Sequence, residues 1–151
     1  MTRTESNDQL GMVALDRAEC LRLLGRGVIG RVVYTDGALP AAQPVNYTME
    51  GEEIIFRTGG GSKLAAATNN AVVAFEVDDV DVDTHAGWSV LAIGKAYPVT
   101  DIDRLRRFVS PLPRPWVSGR TAHTIAIPTW RLTGRRLSAT VPDAIRDPAD
   151  V

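Results

Sequence analysis

Two cations, two hydroxyls and three glycines fall together in Arg57-Thr58-Gly59-Gly60-Gly61-Ser62-Lys63. The order reads as the end of a strand, a flexible loop and the first turn of a helix. A helix start leaves backbone N–H groups without intrahelical acceptors and carries partial positive charge, so this junction gathers donors suited to a phosphate. Arg57 would approach from the strand, Ser62 from the cap and Lys63 from the first helical turn. Charge-assisted contacts of this kind contribute roughly 1.5–3 kcal/mol each. The spacing is not that of a Walker loop, because Lys63 follows Ser62 and precedes Leu64, and it lacks the Gly-x-Gly-x-x-Gly of a dinucleotide-binding βαβ unit. A plain strand-to-helix connection with solvated cations is the competing reading of the same residues.

Two other places could meet a ligand. Asn46, in Pro44-Val45-Asn46-Tyr47, carries donors and an acceptor on a strand and could read the edge of a heteroaromatic ring. Trp88 opens Gly87-Trp88-Ser89-Val90 and could cover an aromatic ligand or fill a subunit interface. Trp116 and Trp130 share that ambiguity.

Other chemistries fit poorly. Asp79, Asp81 and Asp83 alternate like a calcium loop, but Thr84 and Val90 stand where an EF-hand needs Gly and Glu. His85 and His123 lack metal-ligand spacing, so no metal site is expected. Cys20 is the only cysteine, which excludes an intrachain disulfide and a Cys-rich zinc site, and it suits a small core position. No serine lies in a nucleophile elbow.

The elements that must position these groups are mostly strands. Asp16 caps a first helix, with Glu19 three residues on and Leu15, Ala18, Leu21 and Leu24 along one face. Gly25 or Gly27 ends it. Strands are expected at 28–35, closed by Asp36-Gly37, then at 41–49, where Pro44 marks an edge or a bulge, and at 53–58. A short helix with an alanine-rich face follows at 62–70, then a strand at 71–78 and a long strand at 87–100 bent at Gly94. A helix at 101–109, capped by Asp101, carries Ile102, Leu105, Phe108 and Val109 on one side. The final strands occupy 124–137, broken near Pro128 and Gly134. About six strands joined by tight turns imply antiparallel pairing, and such a sheet curls into a small barrel that hides its edges.

The chain has 151 residues, 44% hydrophobic and 23% charged, with a formal net charge of −1. That suits one domain with its own core, expected over residues 13–140, with 1–12 and 141–151 as flexible tails. No basic run points to nucleic acid. The first eleven residues hold no apolar stretch fit for a signal peptide or membrane span, and the single cysteine fits a reducing, cytoplasmic setting.

Taken in order, Val28-Ile29-Gly30-Arg31-Val32, Pro44-Val45-Asn46-Tyr47, Ile55-Phe56-Arg57-Thr58, Ser62-Lys63-Leu64, Val73-Ala74-Phe75-Glu76-Val77-Asp78, Gly87-Trp88-Ser89-Val90 and Gly94-Lys95-Ala96 resemble the pyridoxamine 5′-phosphate oxidase-like flavin-binding proteins. The resemblance spans residues 15–137 and is nearest the small actinobacterial branch that includes nitroimidazole-resistance proteins. It implies a split β-barrel, a homodimer and FMN at the dimer interface. It assigns Arg57, Thr58, Ser62 and Lys63 to the FMN phosphate, places Val45, Asn46 and Tyr47 beside the isoalloxazine ring, and sets Trp88 near the flavin or the partner subunit. The end of the chain, Trp130-Arg131-Leu132-Thr133-Gly134-Arg135-Arg136, lacks the His of the true oxidases' substrate signature. Oxidation of pyridoxamine phosphate is therefore not expected. The expectation is an FMN-dependent oxidoreductase of unknown substrate. The alternatives are a deazaflavin-dependent reductase of the same fold and a non-enzymatic flavin carrier or sensor.

Overall fold

The structure, a computed structural model, describes residues 7–8, 12–59, 61–108 and 122–138. Gly60, Val109, Trp116 and most of the two expected tails lie outside them. In chain order the elements are β1 (Asn7–Asp8), β2 (Met12–Leu15), α1 (Arg17–Leu24), β3 (Ile29–Asp36), β4 (Leu39–Glu50), β5 (Glu53–Gly59), α2 (Lys63–Ala67), β6 (Val72–Val80), β7 (Gly87–Lys95), β8 (Tyr97–Pro98), α3 (Ile102–Arg106), β9 (Ala122–Pro128) and β10 (Arg131–Leu137). Among the described residues no helix is long and apolar enough to cross a membrane.

All strand pairs are antiparallel, in the order β1-β2-β10-β7-β6-β3-β4-β5-β9-β8. The sheet curls through β4, whose residues 39–46 pair with β3 while Tyr47 onward pairs with β5. Pro44 pairs with Arg31 of β3 and sits before the β5 ladder begins, so its missing N–H breaks no bond on that side. Curling brings β7 against β9. A Cβ on Gly94 would lie 1.8 Å from the Pro128 carbonyl oxygen, so only glycine fits where the two walls meet.

The sequence reading places about six strands, and the described residues form ten. The excess comes from the two-residue β1 and β8, from β2, and from the division of 124–137 between β9 and β10. The long strand after Gly87 breaks at Ala96, whose N–H donates to Ala71 O at 2.8 Å, rather than bending at Gly94. The final break falls after Pro128, as the proline suggested. Gly134 lies inside β10, where a Cβ would come within 2.6 Å of Cys20 Sγ.

Local signals set the helices. Asp16 caps α1 by accepting from Glu19 N at 2.9 Å. The buried face is Cys20, Leu23 and Leu24; of the expected stripe Leu24 is buried and Leu15 packs on the core, whereas Ala18 is exposed and Leu21 half-buried, because α1 turns toward β10 and β7. Asp101 caps α3 by accepting from the amides of Asp103 and Arg104. Ile102 is exposed, whereas Leu105 and Phe108 pack inward.

Strand β5 divides two cores. Ile54 and Phe56 join the main cluster with Val32, Tyr47, Phe75 and Val90. Ile55 faces a second cluster under α3 with Val99, Phe108 and Ala126. Side chains alternate along a strand, so Thr58 continues the first face and Arg57 the second. A polar clamp fastens α3 to the β4–β5 hairpin. Arg104 donates to Glu50 and to Glu53, each at 2.6 Å, and to the Tyr97 hydroxyl at 2.7 Å. Burial opposes the Arg104 charge, but the bonds to Tyr97, Glu50 and Glu53 outweigh it and push its pKa up.

Candidate functional site

At the end of β5 the Thr58 and Ser62 hydroxyls lie 2.9 Å apart. Ser62 has extended backbone and caps α2, its Oγ accepting from Ala65 N at 3.0 Å. If Thr58 donates to Ser62, the Ser62 proton is left to point at a ligand. Gly61 sits at φ +76 with nothing within 4 Å of where a Cβ would stand, so the backbone here is open to close approach. The Lys63 side chain is 81% exposed, with Nζ 3.8 Å from Asp36 Oδ2. A pair that loose and that wet contributes little to stability.

Arg57 is placed differently from its neighbours in sequence. Its Nη2 donates to the carbonyl of Phe108 at 2.8 Å, on the face of β5 opposite to Thr58. The structure thus brings Thr58, Ser62 and Lys63 around the start of α2 and sets Arg57 beneath the end of α3.

In the β4 trio, Val45 and Tyr47 are buried in the main core. The Tyr47 hydroxyl donates to Leu24 O, and burial pushes its pKa up to about 12. Its backbone N–H donates to Val28 O at 3.0 Å. Only Asn46 keeps a side chain outside the core, half-buried opposite Ile29, with no side-chain hydrogen bond among the described residues. Trp88 packs partly on the main core and walls a separate cleft of about 270 Å³ with Arg26, Gly27, Val28, Ile29, Val77, Asp78 and Asp79. Trp130 is exposed.

A cleft of about 350 Å³ opens beside the Ser62 cap, within the roughly 300–1,000 Å³ of small-molecule sites. Its walls are Ala65, Ala66, Pro98 and Ile125, and its polar rim is Gly61, Ser62, Asn69 and His123. Of these, Ser62 alone was proposed from the sequence. Ser62, Ala65, Ala66 and Asn69 stand at helical i, i+3, i+4 and i+7 spacing, so that wall was legible as the alanine-rich face. His123 and Pro98 were not, since only strand register sets His123 opposite Thr58 and Pro98 opposite Ile125.

The other reactive groups are engaged elsewhere. Cys20 is buried against Gly134, and burial pushes its thiol pKa up. The Asp81 carboxylate accepts from the amides of Thr84 and Asp83, which hold its pKa down and shape the β6–β7 loop. Among the described residues, no group of three His, Cys, Asp or Glu side chains is placed to hold a metal ion.

The curled antiparallel sheet, with β4 shared between its two halves, is a split β-barrel. A family model described as pyridoxamine 5′-phosphate oxidase matches residues 16–141, and the chain belongs to that family. It is 38% identical over 133 residues to the uncharacterized protein Rv0080 of Mycobacterium tuberculosis, covering 85% of this chain and 87% of that one. Among solved structures it is similar to the FAD binding protein from Mycobacterium smegmatis, with TM-score 0.67 and 31% identity over 83% of this chain and 98% of that one. A conserved protein of unknown function from Corynebacterium diphtheriae aligns with TM-score 0.69 and 27% identity, covering 84% of this chain and 98% of that one.

Proposed function

We propose that this chain binds a flavin nucleotide and works as a flavin-dependent oxidoreductase. The observation that carries the reading is the junction after β5: an open Gly61 and a capping Ser62 hydroxyl stand beside a cleft, with Lys63 opening the helix that follows. In a family built on flavin use, that corner suits the phosphate. Ser62 and Lys63 would hold it directly, with Thr58 fixing the Ser62 hydroxyl. Arg57 would act from the other face of β5 or by tying down the end of α3. The Asn46 carboxamide would read the ring from β4, with Val45 and Tyr47 offering backbone only. A bound flavin supplies the electron transfer; the chain binds and orients it and limits water.

FMN is the cofactor that the strand-loop-helix resemblance implies. FAD is a second reading, favoured by the Mycobacterium smegmatis protein at 31% identity. A deazaflavin reductase and a carrier without turnover use the same corner. Two copies of the chain complete the proposal. The outer face of β3, β6 and β7 presents Ile29, Val72 and Leu91, exposed by 51%, 63% and 37%, with Val33, Ala74 and Ile93 half-buried beside them. No helix of the described residues covers that face, and an apolar patch of this kind marks a contact surface.

The test is the absorbance spectrum of the purified protein, mass spectrometry of what co-purifies, and titration with FMN, FAD and a deazaflavin. The expected result is visible flavin absorption and saturable binding, with turnover on NADH or NADPH. Absence of binding to all three would refute the reading. Binding without turnover would leave the carrier.

A further inference from the structure

The apolar outer face of the sheet has a carboxyl group in its middle. Side chains alternate along a strand, so Arg31 of β3, Ala74, Glu76 and Asp78 of β6, and Leu91 and Ile93 of β7 share this face. Glu76 stands opposite Arg31 on one side and opposite Leu91 on the other. Arg31 reaches two carboxylates, Glu76 at 3.6 Å and Asp78 at 3.9 Å. With both acids ionised the trio carries one surplus negative charge; with Glu76 neutral it balances. From β7, Glu76 meets Leu91, with Ser89 and Ile93 diagonal to it, and none of these titrates. Arg131 and Arg135 of β10 lie beyond β7, about two strand spacings or ~10 Å from β6. Lys95 stands at the far end of β7, opposite Val72.

We infer that a second copy of the chain covers this face and that the proton on Glu76 controls the pairing, tight when that carboxyl is neutral and weak when it is charged. The inference rests on the two-copy reading above. The size of the face suits such a partner. Strands β3, β6, β7 and β10 run 8, 9, 9 and 7 residues. At about 3.3 Å per residue and ~4.8 Å between strands, they and the adjoining half of β4 span roughly 24 by 27 Å. That is about 650 Å² in plan, near the ~800 Å² that each partner gives to a standard interface. The control follows from desolvation. In the single chain water still screens the trio, since the Arg31 and Asp78 side chains are 57% and 41% exposed. A covering copy removes that water. A surplus buried charge is then costly, whereas a neutral carboxyl needs only a hydrogen bond. Burial, then the Asp78 carboxyl, already push the Glu76 pKa up to about 7, and covering the face raises it further. Pairing therefore takes up protons: it is fully favoured below about pH 7 and weakens as pH rises above that.

Sedimentation velocity of the full chain at about pH 6 and about pH 9, at matched ionic strength, gives the dimer dissociation constant for the wild type, Glu76→Gln and Leu91→Arg. The wild-type dimer should be at least about tenfold tighter at the lower pH. Glu76→Gln should be tight at both, and Leu91→Arg, which sets a cation into the middle of the patch, should be monomeric at both. Should Glu76→Gln fail to fold, as read by circular dichroism, the exposed Asp78→Asn answers the same question. It leaves Arg31 with one acid, so its dimer should hold at the higher pH. Equal wild-type affinity at both pH values, or a tighter dimer at the higher one, would overturn the proton control. So would a Glu76→Gln variant that keeps the full pH dependence, since His85 and His123 remain in it. Monomers under all conditions, or a Leu91→Arg variant that still pairs, would instead overturn the two-copy reading of this face, while flavin binding is decided by its own titration.

Discussion

Replacing Arg104 by Met tests whether α3 is held by its polar clamp or by its few apolar contacts. The guanidinium satisfies three partners at once: Glu50 and Glu53 at 2.6 Å and the Tyr97 hydroxyl at 2.7 Å. Its side chain is 19% exposed, and those of Glu50 and Glu53 are 26% and 28% exposed. Removing one partner of a fully buried ion pair costs about 3–5 kcal/mol, whereas exposed pairs contribute about 0–1 kcal/mol. This cluster is nearer the buried limit. Water can still reach the two carboxylates, and Arg107 lies 3.7 Å from Glu50 and can partly compensate. The expected loss is therefore about 3 kcal/mol, or a fall in Tm of roughly 6–12 °C for a domain of this size. Thermal and urea unfolding at neutral pH measure it. Repeating them in 1 M NaCl separates the cases, since partly buried pairs are screened less than exposed ones. A loss under about 1 kcal/mol, or one abolished by salt, would show that Arg104 is an ordinary surface residue.

Three further outcomes follow from particular contacts. Burial, then the Asp78 carboxyl, raise the Glu76 pKa from 4.5 to about 7 against the pull of Arg31. That contribution to stability is fully present below about pH 4.5 and fades as pH rises through 7. Glu76→Gln should therefore flatten the pH 5–8 stability profile and gain about 1–2 kcal/mol at pH 8, after discounting for solvent screening; an unaltered slope would contradict it. Gly94→Ala drives a Cβ toward the Pro128 oxygen and should cost about 1–3 kcal/mol in urea unfolding, whereas a neutral result would mean that the barrel does not close there. Lys63→Ala should weaken flavin binding about tenfold while moving stability by less than about 0.5 kcal/mol, since its Asp36 pair is exposed; unchanged affinity would remove Lys63 from the site.

The caps and turns were legible because they depend on neighbours in sequence. Asp16, Ser62 and Asp101 each accept from amides two or three residues on, and Asp36-Gly37 closes the β3–β4 hairpin with Gly37 at φ +64. The β3–β4 hairpin and the start of α2 at Ser62 could be placed for the same reason. Legibility failed where an element's partner lies far along the chain. Periodicity alone put Ala18 and Leu21 inward on α1 with Leu24, but β10 and β7 select Cys20 and Leu23 beside Leu24.

The sequence by itself determined that strand, glycine loop and capped helix follow one another, which brings the Thr58 and Ser62 hydroxyls to the start of α2. The tertiary structure alone decided which side of β5 each residue serves. Alternation sends Arg57 to Phe108 and Thr58 to Ser62, and antiparallel register sets His123 beside them across 65 residues of chain. Local geometry follows from short-range sterics and hydrogen bonds, whereas a cleft needs walls from distant segments, and only the closed barrel supplies them.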